Sequence, residues 1–388
     1  MTVDALPRLV VDAASEHAPR IDALRRHMRS EGLAAVALAG PESVYYLTGL
    51  DHLGYFAFTL LVVPADGVPT VITRAMERPT IRAQLPWCRH ATFDDGDSAA
   101  TAVAAVLSDV ATAGSTVGLD ESSIFFPPAI ARAVRTLVPG VRWVSGSESL
   151  TALRAVKSGH EVEQVRRAAA VSDQAMAAGL AAIRPGVRER DVAADVYRTL
   201  IAAGGEPPGF PPLIRSTARL DQEHVTWSDA TVSAGQGLFL ELSGSVRRYH
   251  APQSRTVYVG HAPEQAAEAA ETALAGLVAA QGALLPGVRT GEVYAAWQRA
   301  VCGGEAPTRP LRHHCGYLVG IGFPPSWVGG GEVLGIRPGG DVVVRAGMTF
   351  HLMSWVTEPI GHVISDTALV TDTGTRLLTT TSRELTIL

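Results

Sequence analysis

The order of apolar and polar positions divides the chain into two textures. As far as Gly146, short apolar runs alternate with segments of helical period. "APRIDALRRHMRSEGL" is amphipathic at helical spacing, "AAVALAG" is an uninterrupted buried strand, and "FAFTLLVVPADGVPTVIT" folds back on itself at Ala65, Asp66 and Gly67. "AATAVAAVLSDVATAG" predicts a helix closing at Gly114, and "PAIARAVRTLV" predicts another between the strands "TVGLD" and "RWVSG". This alternation predicts an α/β domain with helices packed on a sheet.

From Thr151 the pattern changes. "LTALRAVKSGHEVEQVRRAAAVSDQAMAAGLAAIRPG" reads as one long amphipathic helical stretch closing on Pro185 and Gly186, and "ERDVAADVYRTLIAAGG" and "PEQAAEAAETALAGLVAAQGALLPG" carry further helices. Between and after them lie the strand patterns "GLFLELSGSVRRYHAPQSRTVYVG", "DVVVRAGMTFHLMSWV" and "IGHVISDTALVTDTGTRLLT". The expected organisation is an α/β domain over residues 1–153 and an α+β domain over 154–388. Two successive helix-then-strand blocks in the second domain have the order of an internal repeat.

Composition narrows the function classes. A chain of 388 residues buries a large core and needs no disulfide or metal staples. Cys88, Cys302 and Cys315 are far apart and form no CxxC pair, as in a protein of a reducing compartment. A net charge of -5 with scattered Lys and Arg argues against nucleic acid or anionic membrane as partners. No window reaches the roughly 18 apolar residues of a membrane span, and the first residues lack the apolar stretch of a signal peptide. The expectation is a soluble cytoplasmic protein acting on a small molecule. The Gly-rich "WVGGGEVLG" lacks the strand-GxGxxG-helix order of a dinucleotide site.

Individual residues then suggest chemistry. His224, in the polar "DQEHVTWSD", can exchange protons near neutral pH, a service that contributes on the order of 100- to 10,000-fold in catalysis. Glu241 stands inside the apolar "GLFLELSG", where a carboxylate is costly to bury unless paired or used. Tyr249 and His250 are strand neighbours, so their side chains point to opposite faces. His313 and His314 sit in a loop before Gly316 and Tyr317, whereas His351 and His362 read as satisfied strand histidines.

The segments "PESVYYLTGL", "LRAVKSGHEVEQVRRAA", "RTVYVG", "LLPGV", "GMTFH" and "DTALVTDTG" together resemble the creatinase, prolidase and methionine aminopeptidase superfamily, from about Arg20 to Thr380. The resemblance implies a creatinase-type N-terminal domain followed by a pita-bread catalytic domain. Metallopeptidases of that superfamily hold two divalent ions with Asp, Asp, His, Glu and Glu, and the matching positions here are Glu241, Pro252, Tyr317, Met353 and Ser365. Only Glu241 offers a carboxylate; proline has no donor, the methionine sulfur is soft, and neutral tyrosine and serine bind weakly. The expectation is therefore no metal and no other cofactor.

"EHVTWSDATVSAGQGLFLELSGSVRRYHAPQSRTVYVG" and "GYLVGIGFPPSW" are similar to ectoine hydrolase, which belongs with creatinase to the metal-free branch. That likeness implies metal-independent hydrolysis of a C–N bond in an ectoine-like or creatine-like molecule. It implies His224 as acid and base and Glu241 as nucleophile or base, with His250 and Asp366 orienting the substrate or completing the proton path. Trp227, Tyr249, Arg255, Tyr317, Phe323, Trp327 and Trp355 would contact substrate, the aromatics forming a cage for a cationic or zwitterionic ligand. It also implies a homodimer in which the partner's "GLDHLGYFAF" closes the pocket; this loop lacks creatinase's arginine, which disfavours creatine itself. The competing readings are a metal-dependent Xaa-Pro peptidase and a catalytically inactive ligand-binding homologue.

Overall fold

The computed structural model describes residues 14–305, 311–331 and 333–388. The absence of a signal peptide was read partly from residues 1–13, which lie outside them. The chain forms two units, one running to Arg154 with a short return at Gly330 and the other made of the remainder.

The first unit runs α1 (Ala14–Ser30), β1 (Leu33–Leu38), α2 (Pro41–Thr48), β2 (Leu60–Pro64), β3 (Thr70–Arg74), α3 (Arg78–Gln84), β4 (Arg89–Phe93), α4 (Ala99–Val110), β5 (Thr116–Leu119), α5 (Pro128–Leu137), β6 (Arg142–Ser145) and α6 (Ser147–Ala155). Its sheet has the order β4-β3-β2-β1-β5-β6, with β1 antiparallel to β2 and parallel to β5. Helices cover β1, β2 and β5, so these strands are uninterrupted apolar runs. Val103 and Leu107 of α4 and Val134 of α5 pack on Ala35, Ala37, Leu60 and Val62.

The second unit begins with α7 (Gly159–Ala182) and α8 (Glu189–Ala202), followed by β7 (Leu213–Ser216), β8 (Gly237–Val246) and β9 (Tyr249–Tyr258). A second helix pair, α9 (Ala266–Ala283) and α10 (Thr290–Val301), leads into β10 (Gly316–Leu318), β11 (Thr349–Val356), β12 (His362–Thr371), β13 (Gly374–Leu377) and β14 (Thr386–Ile387). The element order is thus helix pair then strands, twice over. The strands form one curved sheet in the order β10-β11-β12-β9-β8-β7, with β13 beside β12 and β14 beside β9.

The long helical stretch expected from Thr151 is broken between α6 and α7. Ser158 Oγ accepts from the Glu161 N–H and Glu161 Oε2 accepts from the Ser158 N–H, a capping box that starts a new helix inside "KSGHE". This S-x-x-E signal outweighs the continuous helical period around it.

β8 and β9 join through Arg247 and Arg248, both at positive φ (52° and 64°), the backbone of a two-residue hairpin turn. Both strands are buried along their whole length. On one face α7 lies so close that a Cβ at Gly244 would collide with the Ala168 carbonyl oxygen, which is why "LSGSV" needs its glycine. Ser172 of α7 ties the two strands together, accepting from the Gly244 N–H at 2.6 Å and donating to the Ala251 carbonyl at 2.6 Å. The opposite face carries the candidate site.

Candidate functional site

Sheet register decides which side chains share that face. Glu241 pairs with Leu213 of β7 and Ser254 of β9, Ser254 pairs with Ser365 of β12, and Ser365 pairs with Met353 of β11. Side chains two residues along each strand return to the same face. Arg215, Phe239, Pro252, His351 and Trp355 therefore join the row, and Tyr317 enters opposite His351. A cavity of about 330 Å³ opens over this face. Its wall includes Phe210, Arg215, Glu223, His224, Glu241, Arg312, His313, His314, Tyr317, Trp327, Met353 and Trp355.

Glu241 is the carboxyl group of the sheet floor. Burial pushes its pKa up to about 7, against the pull of the Arg215 and Arg312 charges. None of the described residues donates a hydrogen bond to it, and His351 Nδ1 stands 4.0 Å from its Oε1. At the cavity rim His224 is exposed, has a left-handed φ of 56° and lies against Phe210, with ring centroids 5.6 Å apart. Glu223 holds Arg312 through two bonds of 2.6 and 3.0 Å, and the Arg312 guanidinium covers the Trp355 ring at 4.0 Å. His314 is pushed down to about 4, chiefly by burial, and its buried Nδ1 has no hydrogen-bond partner.

Behind Glu241 runs a chain of neutral side chains. Trp327 Nε1 donates to Tyr317 Oη at 3.0 Å, Tyr317 Oη lies 2.9 Å from His351 Nδ1, His351 Nε2 lies 2.6 Å from Ser365 Oγ, and Ser365 donates to Ser254 at 2.7 Å. Burial drives the Tyr317 phenol pKa upward and lowers His351 to about 3, so both are neutral at pH 7. Since Ser365 donates onward, it must accept from His351 Nε2–H; Nδ1 is then the acceptor of the Tyr317 hydroxyl.

This donor set does not fit the two-ion centre of the superfamily. Of the five matching positions, Tyr317 and Ser365 are consumed in the neutral chain, Pro252 has nothing to give, and Met353 presents sulfur beside an apolar cluster with Phe239 and Trp355. Among the described residues no group of three or more His, Cys, Asp and Glu is placed to hold a metal ion.

Several expected site residues stand elsewhere. His250 shares the site face but lies toward the hairpin end of β9, where Nε2 accepts from the Gly209 N–H at 2.8 Å and Nδ1 donates to the Arg248 carbonyl at 2.9 Å. Asp366 follows Ser365 on its strand and so points to the other face. There it pairs with Arg255 at 2.9 Å and Arg383 at 2.7 Å, accepts from Thr379 at 2.7 Å and fastens the C-terminal segment. Arg255 is thereby a structural partner. Tyr249 reaches α7 and donates to Glu161 at 2.7 Å, Phe323 lies under the Arg248 guanidinium at 4.7 Å, and Trp227 packs edge-on against Tyr197. None of these six lines the cavity, whereas His224, Glu241, Tyr317, Trp327 and Trp355 do. Arg215 and Arg312 were not singled out from sequence; alternation from Leu213 along β7 was the signal available for Arg215.

Comparison with known proteins bears on the same region. Residues 20–156 match the creatinase/prolidase N-terminal domain and residues 163–372 match metallopeptidase family M24. The chain is 26% identical to the ectoine hydrolase of Halomonas elongata, over 95% of this chain and 96% of that protein. It is 25% identical to the Xaa-Pro dipeptidase of Pyrococcus furiosus, over 94% and 99%. The crystal structure of a prolidase from Thermococcus sibiricus superposes with a TM-score of 0.84 at 20% identity, covering 96% of this chain and 99% of that one. Among the described residues no helix is long and apolar enough to cross a membrane.

Proposed function

Because this chain belongs to metallopeptidase family M24, has a creatinase-type domain ahead of a pita-bread domain, and is a hydrolase acting on C–N bonds, we propose that it hydrolyses a small cyclic amidine, N-acyl acid or N-amidino acid without a metal ion. The observation that carries this reading is the Glu241 carboxyl, poised near pH 7 on the cavity floor and backed by neutral side chains where two-ion relatives need donors. The similarity to an ectoine hydrolase over nearly the whole chain points the same way.

In this reading the ionised Glu241 attacks the amidine or acyl carbon. As the new C–O bond forms, the C–N bond breaks, and its electron pair leaves with the nitrogen, which takes a proton from His224. Water then gives a proton to His224 and its oxygen to the adduct, releasing the product and restoring the carboxylate. Desolvation makes Glu241 a stronger nucleophile and base than a solvated carboxylate. Trp327, Tyr317 and Trp355 provide apolar and aromatic walls for a flat substrate. A cytoplasmic homodimer belongs to the same reading, with Leu53 and Phe56, exposed by 55% and 77%, available for the partner.

The test is turnover of an ectoine-type amidine, N-acetyl and N-amidino amino acids, and Xaa-Pro dipeptides, each before and after exhaustive chelation. Hydrolysis within the first three classes, unchanged by chelation, is the expected result. Cleavage confined to Xaa-Pro dipeptides and restored by added metal would assign a peptidase instead; binding without any turnover would assign an inactive homologue.

A further inference from the structure

Among the described residues lining the cavity, Arg215 is the buried cation with no carboxylate in hydrogen-bond or ion-pair contact. It is 1% exposed and stands on β7 opposite Phe239, whose ring its guanidinium covers at 4.8 Å. Nε donates to the Arg219 carbonyl at 3.2 Å and Nη1 to the Val225 carbonyl at 3.2 Å. These bonds fix the plane of the guanidinium and leave the rest of its N–H donors unused. Nearby cations are already matched: Glu189 holds Arg219 at 2.5 Å and Glu223 holds Arg312 at 2.6 Å. Glu241, the diagonal neighbour across the β7–β8 ladder, forms no ion pair with Arg215.

A guanidinium remains charged at any working pH, and a buried charge without a contacting counter-ion is costly. The Glu241 and Glu223 charges act on it only across a distance, and Glu241 loses its charge when it holds its proton, so an anion that bonds the unused donors has to enter from the cavity. We propose that Arg215 is a carboxylate subsite and that the substrate is a small amino-acid derivative carrying both a free carboxylate and the hydrolysable C–N bond. Diagonal strand neighbours have Cβ atoms about 7 Å apart, so a carboxylate on Arg215 and a reacting carbon at Glu241 fall within one small ring or short chain. The flat guanidinium edge also suits the two oxygens of a carboxylate, which a point charge would not. This inference uses the cavity of the proposed function but concerns binding, which can be measured without turnover.

Calorimetry on the Glu241→Gln protein would use matched pairs: a cyclic amidine carboxylate, an N-acetyl amino acid and an N-amidino acid, each against its own carboxamide, with free acetate alongside. The acid of at least one pair should bind about tenfold or more tightly than its amide. Adding Arg215→Met should flatten that preference with the far-UV spectrum unchanged, and Arg215→Lys should restore part of it. Equal affinity of acids and amides, binding of neither, a preference that survives Arg215→Met, or acetate binding as tightly as the acids would each overturn the proposal. If Arg215→Met fails to fold, Arg215→Gln takes its place, and a full acid preference in that folded variant overturns the proposal. A protein that prefers acids but hydrolyses none of them keeps the subsite and loses the proposed function.

Discussion

His351 Nε2 lies 2.6 Å from Ser365 Oγ, and the direction of that bond is set from both ends. Ser365 spends its proton on Ser254, and Tyr317, already accepting from Trp327, spends its own on His351 Nδ1. The imidazole is locked as one neutral tautomer. It presents a lone pair to Tyr317 and no proton to Glu241, which leaves that carboxyl without a local donor and contributes to its availability for chemistry.

Tyr317→Phe should expose the importance of this chain. It leaves Trp327 Nε1–H and His351 Nδ1 buried without partners, at a cost of about 1–3 kcal/mol for each unsatisfied group. Urea unfolding should show a loss of about 2 kcal/mol or more. Ser365→Ala removes the acceptor of His351 and should lose about 1–2 kcal/mol. Unchanged stability in both variants would mean that the chain is not formed.

Glu241→Gln should abolish turnover while raising stability at neutral pH. The native carboxyl titrates near 7 rather than 4.5, so between these values the folded protein holds a proton that the unfolded chain has released. Stability therefore falls as pH rises through that window and levels off above it, by up to about 3 kcal/mol in total. The variant should be more stable than wild type at pH 8 and about equal at pH 4. Wild-type activity, needing the ionised form, should rise with pH through about 7.

Four histidines act in the opposite sense. Burial lowers His250, His314 and His362 to about 4 and His351 to about 3. The stability they contribute is complete above the ordinary histidine value of 6.5 and is lost as pH falls from there toward 4. Four imidazoles outweigh one carboxyl, so denaturant midpoints should drop steeply below pH 6. Potentiometric measurement should find net proton uptake on unfolding at pH 5.5.

Purified protein should carry no stoichiometric manganese, cobalt or zinc. The donors at Pro252, Tyr317, Met353 and Ser365 cannot bind a pair of ions. Elemental analysis near two equivalents, with activity lost on stripping and regained on return of metal, would sink the metal-independent reading.

The covalent step is tested by intact mass after a rapid acid quench during turnover. An adduct mapped by peptide analysis to Glu241 supports nucleophilic attack, and His224→Ala, which lacks the proton carrier of both steps, should lengthen the lifetime of any adduct that forms. If repeated quenches of both proteins give no adduct, Glu241 is a general base acting on water.

The two-domain plan was readable because each segment's period agreed with its final environment. "AAVALAG" is covered on both faces, and "PAIARAVRTLV" has one apolar stripe. Glu241 was conspicuous as a carboxylate in an apolar strand, and Tyr317, Trp327 and Trp355 follow from the order of motifs. Asp366, expected near the site, stands on the other face, as the alternation of the strand implies, since a residue next to Ser365 must face away from it. His250 shows a different limit: strand alternation gives its face, but not its hydrogen bonds to Gly209 and Arg248, one of them to a distant part of the chain. Arg215 was overlooked because "LIRS" gives no sign of which charges will be matched once β7 pairs with β8.

The neutral side chains around Glu241 also set the terms for evolution between this site and a two-ion centre. A paired-ion site balances two divalent cations with four carboxylates, whereas here the carboxylate side of that balance is reduced to Glu241. Installing a single acidic residue, for example Ser365→Glu, would bury a negative charge beside Glu241 before any ion could be held, and would break the bond to His351 as well. That position could contribute to an ion only together with new ligands at Pro252, Tyr317 and Met353, so a lone acidic substitution there should destabilise the fold without conferring metal binding.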